Sequence, residues 1–290
     1  MLTSEQVEAY HTHGYITVAG VLSAQEIEEL RCVTEEFVDR SRNATDHTDE
    51  FDLEPGHTAA TPRLRRLKYP EALHPAYDRV MRHQAIVDMV AQLVGPNVRH
   101  FGGKLNMKAA GFGSPVEWHQ DFAFAARTND DMLAVGVPLD DMTEENGCLL
   151  VVPRSHKGPI YNHFQGDVFV GGITDPDFDP GDVVPLELAA GDISIHHGRS
   201  LHASAPNTSP DKPRRLYLLQ MCAADAWLVA AAEDPSERDL DENMLRGEAP
   251  AEPRWVEAPP MPTPDHIKPG LSGSIYESQK LLERRFFKQS

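Results

Sequence analysis

The feature that most restricts this chain is a change of texture near residue 98. From there to about residue 225, short apolar and β-branched runs alternate with clusters of Gly, Pro, Asp and Asn. The runs are Phe101–Met107, Leu133–Leu139, Cys148–Val152, Val183–Leu188, Asp192–His196 and Leu216–Cys222. Each is too short for an ordinary helix, and turn residues at that spacing separate strands. Roughly seven or eight short strands in succession restrict the core to a sandwich or barrel.

The preceding residues read mainly as helices. Thr3 and Gln6 fit a capping box before a short helix ending near Gly14, and Tyr15–Val18 has strand composition. Ser23 and Glu26 form a second capping box, with Leu22 placed to staple onto Ile27. Ile27, Leu30, Val33 and Phe37 give that helix one apolar face. Residues 41–62 are polar and without period, and read as a loop. His83–Val94 is a further helix, stopped by Gly95-Pro96. Residues 231–265 are acidic and Pro-rich and read as a surface loop; Tyr276–Phe287 reads as a closing helix. We expect one domain over 1–290: a mainly helical part (1–97), a β core (98–225), and a C-terminal loop and helix (226–290).

Charge narrows the functional classes. With 27 basic and 45 acidic side chains the net charge is −18, which argues against a nucleic-acid or anionic-membrane surface. A basic pocket for a small anion remains compatible with it. Three cysteines, far apart and without a CxxC pair, indicate a reducing compartment. The N-terminus lacks a basic stretch followed by an apolar one, and no apolar run nears the ~20 residues of a membrane span. The expectation is a cytoplasmic protein.

Chemistry centres on His119-Gln-Asp121. On an extended segment, residues i and i+2 share a side, so an imidazole and a carboxylate point together. A second histidine from a distant strand completes a two-histidine, one-carboxylate set, which leaves positions open on Fe(II). Among 14 histidines, chance alone supplies about one His-x-Asp. His47-Thr-Asp49 is such a case, in a polar stretch with nothing downstream to match it. Residues 191–207 supply the distant histidine: a strand, a turn at Gly198, and a second strand opening with His202. His196 and His197 are consecutive and face opposite sides, so they read as packing or supporting residues. His156 reads as a loop brace and Asn146-Gly147 as a turn. Trp118, Phe122 and Phe124 alternate onto the face away from the ligands. Arg63, Arg65, Arg66 and Lys68 read first as a solvated basic face and second as the rim of an anion site. Arg214 and Arg215 open an apolar strand, and a guanidinium there suits the far carboxylate of a metal-chelating co-substrate.

Several motifs stand in one order: His13-Gly-Tyr-Ile-Thr-Val18, Trp118-His-Gln-Asp121, Glu145-Asn-Gly-Cys-Leu149, Pro153-Arg-Ser-His-Lys-Gly158, His202-Ala-Ser-Ala-Pro-Asn207 and Pro213-Arg-Arg215. Together, over roughly residues 3–225, they resemble the phytanoyl-CoA dioxygenase family of Fe(II)/2-oxoglutarate oxygenases. The resemblance implies a mostly β fold with flanking helices around a double-stranded β-helix, the jelly-roll or cupin-like core. It implies Fe(II), 2-oxoglutarate and O2 as cofactors and co-substrates. His119, Asp121 and His202 match the iron ligands, and Arg214 matches the arginine for the C5 carboxylate of 2-oxoglutarate. Ser204 matches a hydroxyl that assists it. Lys68 matches an upstream basic contact, and Lys104 is a further candidate on the expected second strand. Pro210 lengthens the interval to the arginine, so Arg215 competes with Arg214; strand alternation separates them, and Arg214 is favoured. The region of Gly136 replaces an aromatic that often lies near the cofactor. The implied reaction is hydroxylation of a small-molecule metabolite with decarboxylation of 2-oxoglutarate to succinate and CO2. The carboxylate of Asp121 favours hydroxylation over halogenation. A non-catalytic cupin-like binding protein and a zinc hydrolase are the alternatives. Residues 41–67, 122–131, 159–182 and 226–265 are the loops expected to shape the substrate pocket.

Overall fold

Two capping boxes start the N-terminal helices where the sequence places them. In the computed structural model, which describes residues 1–231, 242–257, 259–262 and 275–287, helix Ser4–His13 is capped by Thr3 and Gln6. It ends at Gly14, whose φ of 83° is the left-handed stop that glycine adopts without strain. Helix Ala24–Ser41 is capped by Ser23 and Glu26 and buries Ile27, Leu30, Val33 and Phe37. Burying each of those side chains is worth about 1.5–3 kcal/mol. Helix Gln84–Val94 adds Ile86, Met89, Val90, Leu93 and Val94 to the same core.

Most strands form two facing antiparallel sheets, and four more form two separate two-stranded ones. The larger has eight strands, with the path Tyr15–Val18, Ile193–His197, Met132–Pro138, Arg214–Ala223, Val98–Lys108, Leu64–Lys68 and Phe51–Leu53, and Met244–Arg246 on a side branch. The smaller has four: Val184–Leu186, Leu149–Val151, His202–Ser204 and Val116–His119. Alternation along Arg214–Ala223 sorts the layers. Tyr217, Leu219 and Met221 join the core shared with the helices, whereas Leu216 and Leu218 pack with Ala134, Met142, Cys148 and Leu188 between the sheets. The register pairs Arg214 with Lys108, Leu216 with Asn106 and Leu218 with Lys104, which puts all four polar residues on the inner face.

Four expectations need correction. Residues 41–62 are not all loop, because Phe51–Leu53 is a buried edge strand. Its signal was masked by Asp52, a buried acid made tolerable by ion pairs to Arg66 and Lys68. Arg65 and Arg66 are accordingly no solvated face; both are buried, Arg65 against Glu54. The stretch after residue 226 also contains strands, Leu228–Ala231 against Ala125–Arg127 and Met244–Arg246 against Val98–Lys108. Part of the acidic loop expected over 231–265 lies outside the described residues. The closing helix is one turn, Ile275–Ser278, followed by a tight turn over Gln279–Leu281. The Glu117 carboxylate accepts the amides of Phe286 and Phe287, which draws the chain off a helical path. Among the described residues no helix is long and apolar enough to cross a membrane.

Candidate active site

The smaller sheet carries two histidines in direct register. His119 ends one strand and His202 opens its neighbour, and the two are paired, with ring centroids 4.0 Å apart. Asp121 follows as the first residue of a short 3-10 turn rather than as part of the strand. The strand alternation expected for His119 and Asp121 therefore stops short, and the turn brings the carboxylate round to the same point. One ligand atom from each of His119, Asp121 and His202 lies within 4.8 Å of the others, and all three residues are buried.

The hydrogen bonds prepare this set for a metal. Nδ1 of His119 donates to the Glu117 carbonyl at 2.8 Å, and Nδ1 of His202 donates to the Ser200 carbonyl at 3.0 Å. A carbonyl only accepts, so each ring carries its proton on Nδ1 and presents a bare Nε2 lone pair. Each Nε2 stands 3.8 Å from Asp121 Oδ1, too far for a hydrogen bond and spaced for a shared ion. Burial, helped by the neighbouring His202, holds His119 well below the usual imidazole range; burial pushes His202 down to about 4. Burial alone would raise Asp121, but His202 and His196 hold its carboxyl well below the usual range. Two neutral imidazoles and one carboxylate are the donor set of non-haem ferrous sites, and the residues fit iron.

His196 supports rather than completes the triad. Its Nε2 lies 3.6 Å from Asp121 Oδ2, the oxygen turned away from the two paired histidines. His197, on the opposite side, lies 5.2 Å from His156, and His156 braces the His11 carbonyl. Two residues that spacing did not reveal hold the ligand turn. Gln120, fully buried between the ligands, donates to the Pro159 and Arg199 carbonyls and accepts from the Tyr161 amide. The Gln120 amide in turn donates to His163 Nε2 at 3.1 Å. Gln120→Ala breaks all three side-chain bonds and is expected to weaken Fe(II) or Co(II) binding by about 10–100-fold. An unchanged metal dissociation constant in equilibrium titration rejects that role.

Across the gap, the larger sheet supplies positive charge. Arg214 is buried, donating to the carbonyls of Gly147 and Asn106. Lys108, directly opposite it, is buried as well and donates to the carbonyls of Ser204 and Ala205. Burial, then Arg214 itself, drives the lysine well below the usual range. No described carboxylate is ion-paired to either one. The Asn146-Gly147 turn positions them: Asn146 bonds the Asp141 and Pro213 carbonyls, and a Cβ on Gly147 would stand 2.5 Å from the Ala205 carbonyl. Arg215 points to the helix side and is taken by Asp140 and Glu35. Lys104 stands close enough to act electrostatically on all three triad members. Ser204 is buried on the ligand strand. The described contacts of Lys68 are Asp52 and the Thr48 carbonyl.

The profile of the phytanoyl-CoA dioxygenase family matches residues 10–216. The chain belongs to the phytanoyl-CoA dioxygenase family. A relative from Stutzerimonas stutzeri, named a probable α-ketoglutarate-dependent hypophosphite dioxygenase, is 32% identical over 98% of this chain and 99% of its own. An ectoine dioxygenase from Bordetella parapertussis is 27% identical over 72% of each chain. Among solved structures, EctD from S. alaskensis with bound iron matches 89% of this chain and 88% of that one, with a TM-score of 0.69 and 21% identity. The α-ketoglutarate-dependent carbocyclase SnoK matches 88% and 94%, with a TM-score of 0.65 and 22% identity. This dioxygenase is an enzyme of the iron- and 2-oxoglutarate-dependent class, with a jelly-roll core and O2 as second co-substrate.

One placement within the dioxygenase departs from the sequence expectation. Trp118 packs away from the ligands with Ile173, Leu201 and Ala203, and Phe122 joins the main core. Phe124 does not follow them. Its ring meets that of His119 edge-on at 5.8 Å, because the 3-10 turn breaks the alternation. It belongs to the site wall. His47 accepts the Leu53 amide and faces Glu277, with no role at this centre.

Proposed function

We propose that this dioxygenase oxidises a small phosphorus oxyanion, inorganic or carrying a short organic group, in a reducing compartment. The observation that carries the substrate class is charge. In a chain of net charge −18, Arg214 on the inner face of one sheet is left for the co-substrate, and Lys104 on the same face acts electrostatically on all three triad residues. The hypophosphite dioxygenase relative, alike over nearly its whole length, supports the same chemistry. Cys32, Cys148 and Cys222 form no disulfide among the described residues, which supports a reducing compartment.

His119, Asp121 and His202 would hold the iron. When bound, ferrous iron supplies oxygen activation coupled to decarboxylation of 2-oxoglutarate to succinate and CO2. Arg214, with Lys108 beside it, would grip the far carboxylate of 2-oxoglutarate in a charge-assisted pair. Lys104 would attract the substrate anion to the triad, and Phe124 and Phe169, rings 4.9 Å apart, would exclude water beside it.

Two measurements test this reading. Anaerobic titration with Fe(II) and 2-oxoglutarate should give a visible charge-transfer band, and Arg214→Ala should weaken co-substrate binding roughly 30-fold or more. Succinate release should then rise when hypophosphite, phosphite or a short alkylphosphonate is added. A normal band, with no stimulation by any of these, would overturn the substrate class.

A further inference from the structure

The C-terminal segment returns to the site and inserts a tyrosine into its wall. Ile275 and Tyr276 are buried against Val116 and Phe124, and Phe124 is the ring that touches His119. The segment is pinned from several directions. Gln279 accepts the Glu117 amide at 3.0 Å and donates to the Gly171 carbonyl at 2.7 Å. Glu277 meets Arg65 at 3.4 Å and His47 at 3.2 Å. A one-turn helix anchored this heavily does more than cover an edge.

Tyr276 itself has an unfinished arrangement. Its ring lies under the Arg65 guanidinium, 4.7 Å from ring centroid to carbon. Its hydroxyl is buried and has no hydrogen-bond partner. Buried hydroxyls are normally satisfied, so an orphan indicates a missing partner. The charged group that acts on it most strongly is Arg214. Arg214 in turn feels Tyr276 as its strongest electrostatic neighbour. Geometry agrees: Tyr276 and Gly113 line one cavity, a Cβ on Gly113 would stand 2.5 Å from Lys108 Cβ, and Lys108 is the register partner of Arg214.

We infer that the Tyr276 hydroxyl donates a hydrogen bond to the far carboxylate of 2-oxoglutarate, so that the C-terminal segment completes the co-substrate site. A carboxylate held by Arg214 has lone pairs to spare, and it fits a neutral donor enclosed beside the guanidinium. Tyr276 is a positioning residue for the co-substrate, and it remains protonated throughout. The inference rests on the co-substrate site proposed above.

The test is Tyr276→Phe in the full-length chain, which keeps the ring and removes one oxygen. Binding is read without turnover, from the charge-transfer band under anaerobic conditions. Two 2-oxo acids are compared: 2-oxoglutarate, and 2-oxobutyrate, which lacks the far carboxylate. The expected result is about 10-fold weaker binding of 2-oxoglutarate, with 2-oxobutyrate and the metal dissociation constant unchanged. Equal losses for both acids would mean a structural role only and overturn the inference. Undiminished 2-oxoglutarate binding would overturn it too. A wild-type protein without any band would remove the co-substrate site and this inference with it. A normal wild-type band with an unaffected variant removes the tyrosine alone.

Discussion

His119→Ala is expected to lose the charge-transfer band and to turn over more than about 100-fold more slowly. Residues that only support ligands commonly cost 10–100-fold in metal affinity or activity, and losing a ligand exceeds that range. The variant leaves two donors, Asp121 and His202, on a site that needs three. Its fold should survive, because His119 makes one backbone hydrogen bond and its strand keeps its neighbours. Far-ultraviolet circular dichroism separates loss of metal from loss of structure. A folded His119→Ala protein that still forms the band would remove this residue from the ligand set.

The second large effect is acid instability of the metal-free protein. Burial lowers His163 and His202 from 6.5 to about 4. The unfolded chain takes up these protons near pH 6.5, and the native chain does so only near pH 4. The unfolded state therefore binds more protons throughout that window, and stability falls as pH drops from 6.5 to 4. Each of the two contributes on the order of 3 kcal/mol by pH 4, from about 1.4 kcal/mol per unit. Together they approach the 5–15 kcal/mol that holds a typical domain, so they decide whether the native state persists. His100, His119 and His197 are also moved down by burial and act in the same sense. Glu71 and Glu117, raised by burial, work in the opposite sense. Asp121 is lowered, so its contribution is lost only below its unfolded value of about 4, outside the window. The urea midpoint of apoprotein should fall steadily between pH 7 and pH 5. A midpoint that does not move with pH would contradict the buried, neutral state of these rings.

Much of this was legible in the residues. Capping boxes at Thr3 and Ser23 are local chemistry, and they appear where the sequence places them. Short apolar runs between turn residues became strands, since period and turn signals agree there. Charged strands were less visible. Phe51–Leu53 and Leu64–Lys68 bury Asp52, Arg65 and Arg66, and only tertiary ion pairing makes that composition compatible with a sheet. Lys108 is hidden in the sequence for a related reason. A lysine on a strand is ordinarily solvated, and nothing local shows that Arg214 will lie opposite it. Gln120 sat inside the central motif but has no metal-binding atom of its own, and His163 has no motif at all. Strand alternation points Phe124 away from the ligands, and the turn at Asp121–Ala123 reverses that. Tyr276 reaches the site from more than sixty positions beyond Arg214 in the chain, a distance over which local patterning carries no information.

The triad histidines belong to the four-stranded sheet, and Arg214 and Lys108 belong to the eight-stranded one. A molecule that touches both is a tie across the sandwich, added to the side-chain packing and the Lys108–Ser204 hydrogen bond that already join the layers. Its binding energy adds to the work needed to separate them. Supply of the co-substrate and lifetime of the folded enzyme are then coupled. When 2-oxoglutarate is scarce, the enzyme is expected to be both idle and less stable.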